Sequence, residues 1–293
     1  MNFNNIKPML LIEEEKPFNS KDYIYEIKFD GIRALIYTEN NKITIKSRNN
    51  TILNNIFPEL INIKYITKKK CIFDGEIILM DKNKISFDKL KTRMNIKKKD
   101  KIEEYKNKLP VTFICFDILY ENKDLTLLPL IKRKTILNKY KDNNFFVKTR
   151  IYNNGIKLFN IIKKYNLEGI VAKEKKSLYY PGIRSKEWIK IKSVLESDYY
   201  ICGYKELENV VSLLLAEKIS NSYTFISKVI LGKKRVEYKE IKKCKHTNNY
   251  LIDFNEDYIF IKPNLICSVT YLEKTQNNHL RHPVFKELKN INN

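Results

Sequence analysis

Short apolar runs with a period of two dominate this chain. Residues 23–29 and 32–37 have the strand pattern, and an Asn40-Asn41 turn leads into a further strand at 43–46. Two longer apolar strands are expected at 71–80 and 111–120. Helical spacing occurs at 87–94, 131–140 and 155–165. Strands return at 169–173 and 188–192, and beyond Ser193 the pattern is one of short strands at 199–204, 211–217, 223–229 and 265–270. Closely spaced short strands suit a small barrel. The pattern therefore predicts an α+β first domain over 1–194, with antiparallel sheets flanked by helices, and a β-barrel over 195–293. A length of 293 residues fits two domains.

Charge adds a partner to this picture. The 56 Lys and Arg exceed the 34 Asp and Glu, giving a net charge of +22. Such a field attracts polyanions, and nucleic acid is the partner it favours. Lysine outnumbers arginine 48 to 8. The remaining arginines should then mark sites where a planar, two-pronged donor is needed. They are Arg33, Arg48, Arg93, Arg133, Arg150, Arg184, Arg235 and Arg281. The five cysteines are scattered and show no metal-ligand spacing. No signal-peptide or membrane-spanning run is evident, so a cytoplasmic protein with reduced thiols is expected.

Chemistry concentrates in Tyr25-Glu26-Ile27-Lys28-Phe29-Asp30-Gly31-Ile32-Arg33. On a strand Tyr25, Ile27 and Phe29 share one face, and Glu26, Lys28 and Asp30 the other. A nucleophilic lysine must lose its proton. Burial and nearby cations lower its pKa, whereas carboxylates raise it, so a divalent metal among the carboxylates would favour the neutral amine. A surface strand with paired charges is the bland alternative.

The segment has the form Lys-x-Asp-Gly-x-Arg and resembles the signature of covalent nucleotidyltransferases, which include DNA ligases, RNA ligases and mRNA capping enzymes. Further elements follow in the order of that superfamily: Ser47-Arg48-Asn49, Phe73-Asp74-Gly75-Glu76, Phe113 to Asp117, Glu168-Gly169-Ile170-Val171-Ala172-Lys173 and Trp188-Ile189-Lys190-Ile191-Lys192. Lys7-Pro8-Met9-Leu10, Tyr180 to Trp188 and Arg281-His282-Pro283-Val284-Phe285 are similar to the ligase module of bacterial end-joining ligases. The resemblance implies an adenylation domain followed by an OB-fold barrel, with ATP and Mg²⁺ as cofactors and nicked duplex DNA as substrate. It further implies that Lys28 takes AMP, that Asp30, Glu76 and Glu168 surround the metal, and that Lys190 and Lys192 contact the α-phosphate. Phe116 would stack on adenine, Glu26 accept its amino group and Arg33 hold the ribose. Arg48, Arg93, Arg184 and Arg281 would meet the nucleotide or DNA phosphates, with Arg48 on the 5′-phosphate side of the nick. For Arg133 the plain expectation is ion pairing on a helix surface. A monomer is expected, with a DNA end-binding protein as a possible recruiter. The last motif departs from the family: the stretch from Leu288 to Asn293 offers Lys289 but no Asp-Lys pair, which bears on self-adenylation. An RNA ligase, a capping guanylyltransferase and a non-catalytic nucleic-acid-binding protein are the alternatives.

Overall fold

The computed structural model describes residues 6–220, 222–247, 252, 254, 256–275 and 277–290. The chain divides into two compact units, Met1–Ser193 and Val194–Asn293.

Strands of the first unit are β1 (Leu10–Glu13), β2 (Tyr23–Lys28), β3 (Ile32–Glu39), β4 (Lys42–Ser47), β5 (Cys71–Asp81), β6 (Lys84–Ile85), β7 (Val111–Glu121), β8 (Phe146–Lys148), β9 (Gly169–Glu174) and β10 (Arg184–Lys192). Its helices are α1 (Phe87–Asn95), α2 (Lys99–Lys108), α3 (Leu130–Leu137) and α4 (Gly155–Lys164), with a 3₁₀ helix at Pro58–Tyr65. One sheet has the order β1-β10-β9-β2; the other runs β4-β3-β5-β7-β8, with β6 beside β5. The pairings are antiparallel except β1 with β10 and β7 with β8. Asn40 and Asn41, at φ 48° and 64°, close the β3–β4 hairpin. A two-residue hairpin loop needs positive φ at both positions, which Asn tolerates.

Both sheets are buried on two sides. Ala34 and Ile36 enter a core with Phe73, Phe113, Leu60 and Leu90, under the 3₁₀ helix and α1. Leu35 and Tyr37, on the opposite face of β3, join Ile24, Phe116, Leu130 and Trp188. Tyr25, on the other face of β2 from Ile24, packs with Ile170, Ile191 and α4 residues Leu158, Phe159 and Ile162. Because adjacent residues of one strand serve different cores, a register slip would exchange whole faces. Two caps fix helix starts: Ser86 accepts from the Lys89 N–H at 3.4 Å and Asn154 from the Lys157 N–H at 2.8 Å.

The second unit contains β11 (Leu195–Glu206), β12 (Val210–Ile219), β13 (Ser222–Gly232), α5 (Val236–Lys242), β14 (Ile259–Phe260), β15 (Leu265–Tyr271) and β16 (Val284–Asn290). Its sheet runs β13-β12-β11-β15-β16, and β16 packs back against β13, so the sheet curls around a core of Leu213, Val229, Val269 and Phe285. No helix among the described residues is long and apolar enough to cross a membrane.

The periodicity does not predict β1, β6, α2, β8, α5, β14 or β16, and two of these show why. In α2 only Ile102 is buried, so no apolar stripe marks the helix. β1 is short and pairs with β10, some 170 residues away, through a register shift between Leu11 and Ile12.

Candidate active site

Strand register assembles one face of the smaller sheet. Lys28 lies opposite Gly169, which lies opposite Lys192. Glu26, Val171 and Lys190 form the next row, extended by Glu13 of β1. Ile24, Lys173 and Trp188 form the third. Residues directly opposite share a face, as do alternate residues of a strand. The amine of Lys28 therefore stands on the same face as both β10 lysines. Gly169, at φ +154°, leaves room between them; a Cβ there would lie 2.2 Å from the Ile191 carbonyl oxygen.

The second wall comes from β3, β5 and β7. Arg33 pairs in register with Glu76 and Leu35 with Asp74, so the guanidinium and both carboxylates share a face. Arg33 donates from Nε at 2.6 Å and from Nη2 at 2.7 Å to Asp74. The Tyr179 hydroxyl donates to the same carboxylate at 2.6 Å and accepts from the Met9 N–H at 2.9 Å. Phe116 is the extra residue of a bulge: Asp74 pairs with Asp117 and Gly75 with Cys115. A bulge re-aims a side chain out of the alternation. The Phe116 ring thereby lies 4.3 Å from both the Arg33 guanidinium carbon and the Lys173 Nζ. A cavity of about 60 Å³ is lined by Glu26, Lys28, Arg33, Glu76, Phe116 and Lys173, among others.

Charges in the cavity walls are paired. Lys28 Nζ lies 2.6 Å from Glu168 Oε1. Lys190 and Lys192 hold the two oxygens of Glu13 at 2.9 and 3.0 Å. Burial pushes the Glu13 carboxyl up, but the two lysines win and hold it below its usual range. Burial also acts against ionised Glu26, yet the fields of Lys134 and Lys173 keep its pKa lowered. Lys173 is pushed down to about 8, chiefly by burial and further by Lys134. Glu76 is pushed up to about 8, first by burial and then by Glu168 and Asp74, against the pull of Arg33 and Lys28.

The last shift has a measurable consequence. With a folded pKa near 8 and an ordinary value of 4.5, folded Glu76 holds a proton that the unfolded chain has lost. Stability must therefore fall as pH rises through that window and level off above it. Relative to Glu76→Gln, the native chain is expected to lose melting temperature between pH 5 and about 8. Parallel pH-dependent pulls of equal slope in both proteins would contradict this.

Several expected site residues do not behave as their spacing implied. Arg93 is fully buried on the same face of α1 as Leu90. It donates to Glu59 at 2.8 and 3.0 Å and to the carbonyls of Ile56 and Ile102. It cannot reach a phosphate and is a core ion pair. Arg133 is no surface residue either: it grips Asp117 at 2.9 Å, both side chains being fully buried. The three carboxylates Asp30, Glu76 and Glu168 form no metal-holding group; none exists among the described residues. β2 ends at Lys28, so the alternation that would carry Asp30 onto its face stops short, and Glu168 is engaged by Lys28. Arg48 is exposed beside a hollow of about 370 Å³ lined also by Lys7, Asn49, Asn50 and Gly182. Arg184 is exposed and donates to the Leu11 carbonyl. In the second unit Arg281 pairs with Glu273 at 2.9 Å and Lys289 with Asp198 at 2.9 Å. Residues 291–293 of the last motif lie outside the described residues.

The sequence matches the family model of the ATP dependent DNA ligase domain over residues 8–192, which includes every residue of these two walls. The chain belongs to the ATP-dependent DNA ligase domain family. The ligase is 30% identical over 285 residues to the SPbeta prophage-derived DNA ligase-like protein LigB of Bacillus subtilis, covering 96% of this chain and 98% of that one. It is 27% identical to the bifunctional non-homologous end joining protein LigD of the same organism, over 86% of this chain but only 44% of that one. Against a DNA ligase of Methanosphaera stadtmanae it is 28% identical, over 97% of this chain and 56% of the other. The chain thus spans nearly all of one relative and about half of the other two. Its fold is that of the mycobacterial DNA ligase D complexed with ATP and MES, with a TM-score of 0.61 at 23% identity, covering 100% of this chain and 97% of that one.

Sequence reasoning missed Asp74, Tyr179, Lys134, Thr149 and Glu13 as partners of the site. Lys134 alone carried a signal: it lies four residues after Leu130 and three before Leu137, a core position of α3 filled by a lysine.

Proposed function

We propose that this ligase seals nicks in duplex DNA through an AMP-carrying Lys28. The amine attacks the α-phosphorus of ATP; a P–N bond forms, the bond to the β-phosphate bridge breaks, and pyrophosphate leaves. The 5′-phosphate of a nick then displaces Lys28 from AMP. Finally the 3′-hydroxyl attacks the activated 5′-phosphate, and AMP departs. The reading is carried by the row Lys28–Gly169–Lys192 beside Lys190, which sets a nucleophilic amine among cations suited to phosphate. Glu13 pairs with those cations and would have to yield them to a phosphate.

In this reading Phe116 and Glu26 receive the adenine, and Arg33, whose Nε and Nη2 are held by Asp74, offers its remaining N–H groups to the ribose. Glu76 and Glu168 suit a hydrated divalent cation, since two nearby carboxylates oppose each other's ionisation. Bound there, Mg²⁺ would neutralise charge on the reacting phosphates. Arg48 with Lys7 contributes to DNA backbone binding, as do Arg184 and Arg281, and the curled sheet of β11–β16 acts as an OB-type nucleic-acid grip. Likeness to the non-homologous end joining protein LigD supports a role at strand breaks; that the ligase acts there as a monomer recruited by an end-binding protein is part of the proposal.

The test uses radiolabelled ATP or GTP with the full chain, followed by denaturing gels, and then nicked DNA. Label from ATP on the protein, chased into sealed DNA, is expected. Label from GTP alone would favour a capping-type transferase, and sealing confined to RNA nicks an RNA ligase.

A further inference from the structure

The wall that faces the base contains more charge than base recognition by Glu26 requires. Glu26 is buried, and three groups hold it. Oε1 accepts from the Lys134 ammonium and, at 3.0 Å, from the Thr149 hydroxyl; Lys134 Nζ also lies 3.2 Å from that hydroxyl. Oε2 lies 2.7 Å from Lys173 Nζ. An ionised carboxylate has about four acceptor positions. With Oε1 doubly engaged, the remaining capacity belongs to Oε2, the oxygen shared with Lys173.

Lys134 itself is 3% exposed and reaches Glu26 from α3, across 108 residues of sequence. Its neighbour Arg133 anchors that helix to Asp117 of β7 and to the carbonyls of Leu128 and Ser177. Burying a second ammonium beside Lys173 is costly, and an apolar residue at this core position of α3 would be the cheaper way to pack it. What the ammonium adds is orientation: it fixes which oxygen of Glu26 is offered to the cavity.

We propose that Lys134, with Thr149, is a positioning residue for base selection, holding the Glu26 carboxylate so that one acceptor oxygen meets an exocyclic amino group of the nucleotide. The inference rests on the reading of this cavity as the adenine site. It requires that loss of Lys134 weaken the advantage of bases that carry the amino group, rather than weaken all nucleotides alike.

Capture of nucleoside monophosphate by Lys28 tests it, measured for ATP and for purine riboside triphosphate, which lacks the 6-amino group. The native chain is expected to favour ATP by on the order of 10²-fold, the scale of one buried hydrogen bond to a charged group. Lys134→Met should reduce that preference roughly tenfold through KM for ATP, and Lys134→Arg should restore most of it. Thr149→Val should move the ratio in the same direction by less, and it carries the test should Lys134→Met not fold. An unchanged ratio in both Lys134→Met and Thr149→Val, or equal losses for both nucleotides, overturns the inference. Glu26→Gln separates the two layers of argument. If that variant keeps the native ratio, the adenine-site reading itself fails. If it loses the ratio while Lys134→Met keeps it, only the role of Lys134 falls.

Discussion

Lys28→Ala is expected to lower covalent AMP capture by a factor on the order of 10⁴ or more, the scale on which removal of a covalent nucleophile acts. Its amine stands in one row with Lys192 and Gly169, and no other lysine of that face has the same place beside Glu168. Lys28→Arg is the sharper control. It keeps a cation for Glu168, and so the local packing, but a guanidinium does not give up its proton at any accessible pH. Both variants should therefore fail to gain the mass of AMP when intact protein is weighed after exposure to ATP and Mg²⁺. Nicked DNA already bearing a 5′-adenylyl group bypasses the missing amine, and both variants should still seal it in part. AMP appearing at another lysine in Lys28→Ala would refute the assignment.

The second large effect concerns stability. Arg133→Met is expected to cost about 3–5 kcal/mol, because it strands the fully buried Asp117 carboxylate without its counter-charge. In a unit of this size that corresponds to a fall in melting temperature of roughly 10 °C. Asp117 keeps a hydrogen bond from the Ile118 N–H at 2.8 Å, which does not neutralise it. Combining Arg133→Met with Asp117→Leu should recover a good part of the loss, since exchange of a whole buried pair for apolar groups is far milder than removal of one partner. Thermal melts of the single and double variants decide it; a single variant as stable as the native chain would show that the pair contributes little.

The comparison of these arginines explains what the sequence could and could not convey. Scarcity of arginine in a lysine-rich chain points to positions where a fork of donors is needed: Arg33 and Arg133 each meet a carboxylate through Nε and Nη2, whereas Arg93 reaches Glu59 through Nη2 alone and turns other N–H groups to backbone carbonyls. The identity of the partner was not legible. Glu59 and Asp117 are brought to Arg93 and Arg133 by tertiary packing across 34 and 16 residues, and no local pattern records that. Strand alternation did convey the face shared by Glu26 and Lys28, because β2 is regular there. It does not extend to Asp30, because the paired part of β2 ends at Lys28. Lys134 stayed hidden because helical spacing reports which side of α3 is inward, not that an inward lysine has a carboxylate waiting on another sheet.

The bulge at Phe116 limits how this aromatic can be altered. Being surplus to the β5–β7 ladder, the ring owes its direction to an extra residue in the backbone rather than to its own chemistry. Swapping it with Cys115 or Asp117 would send the aromatic elsewhere, and deleting one residue there would remove this register shift, leaving the one between Ile72 and Phe73, while inverting the sidedness of part of β7. Substitutions at 116 can tune the ring's size, but its location is a property of the spacing between Asp117 and Cys115. Variation at 116 is thus tolerable in kind, whereas the stretch that contains it is intolerant in length.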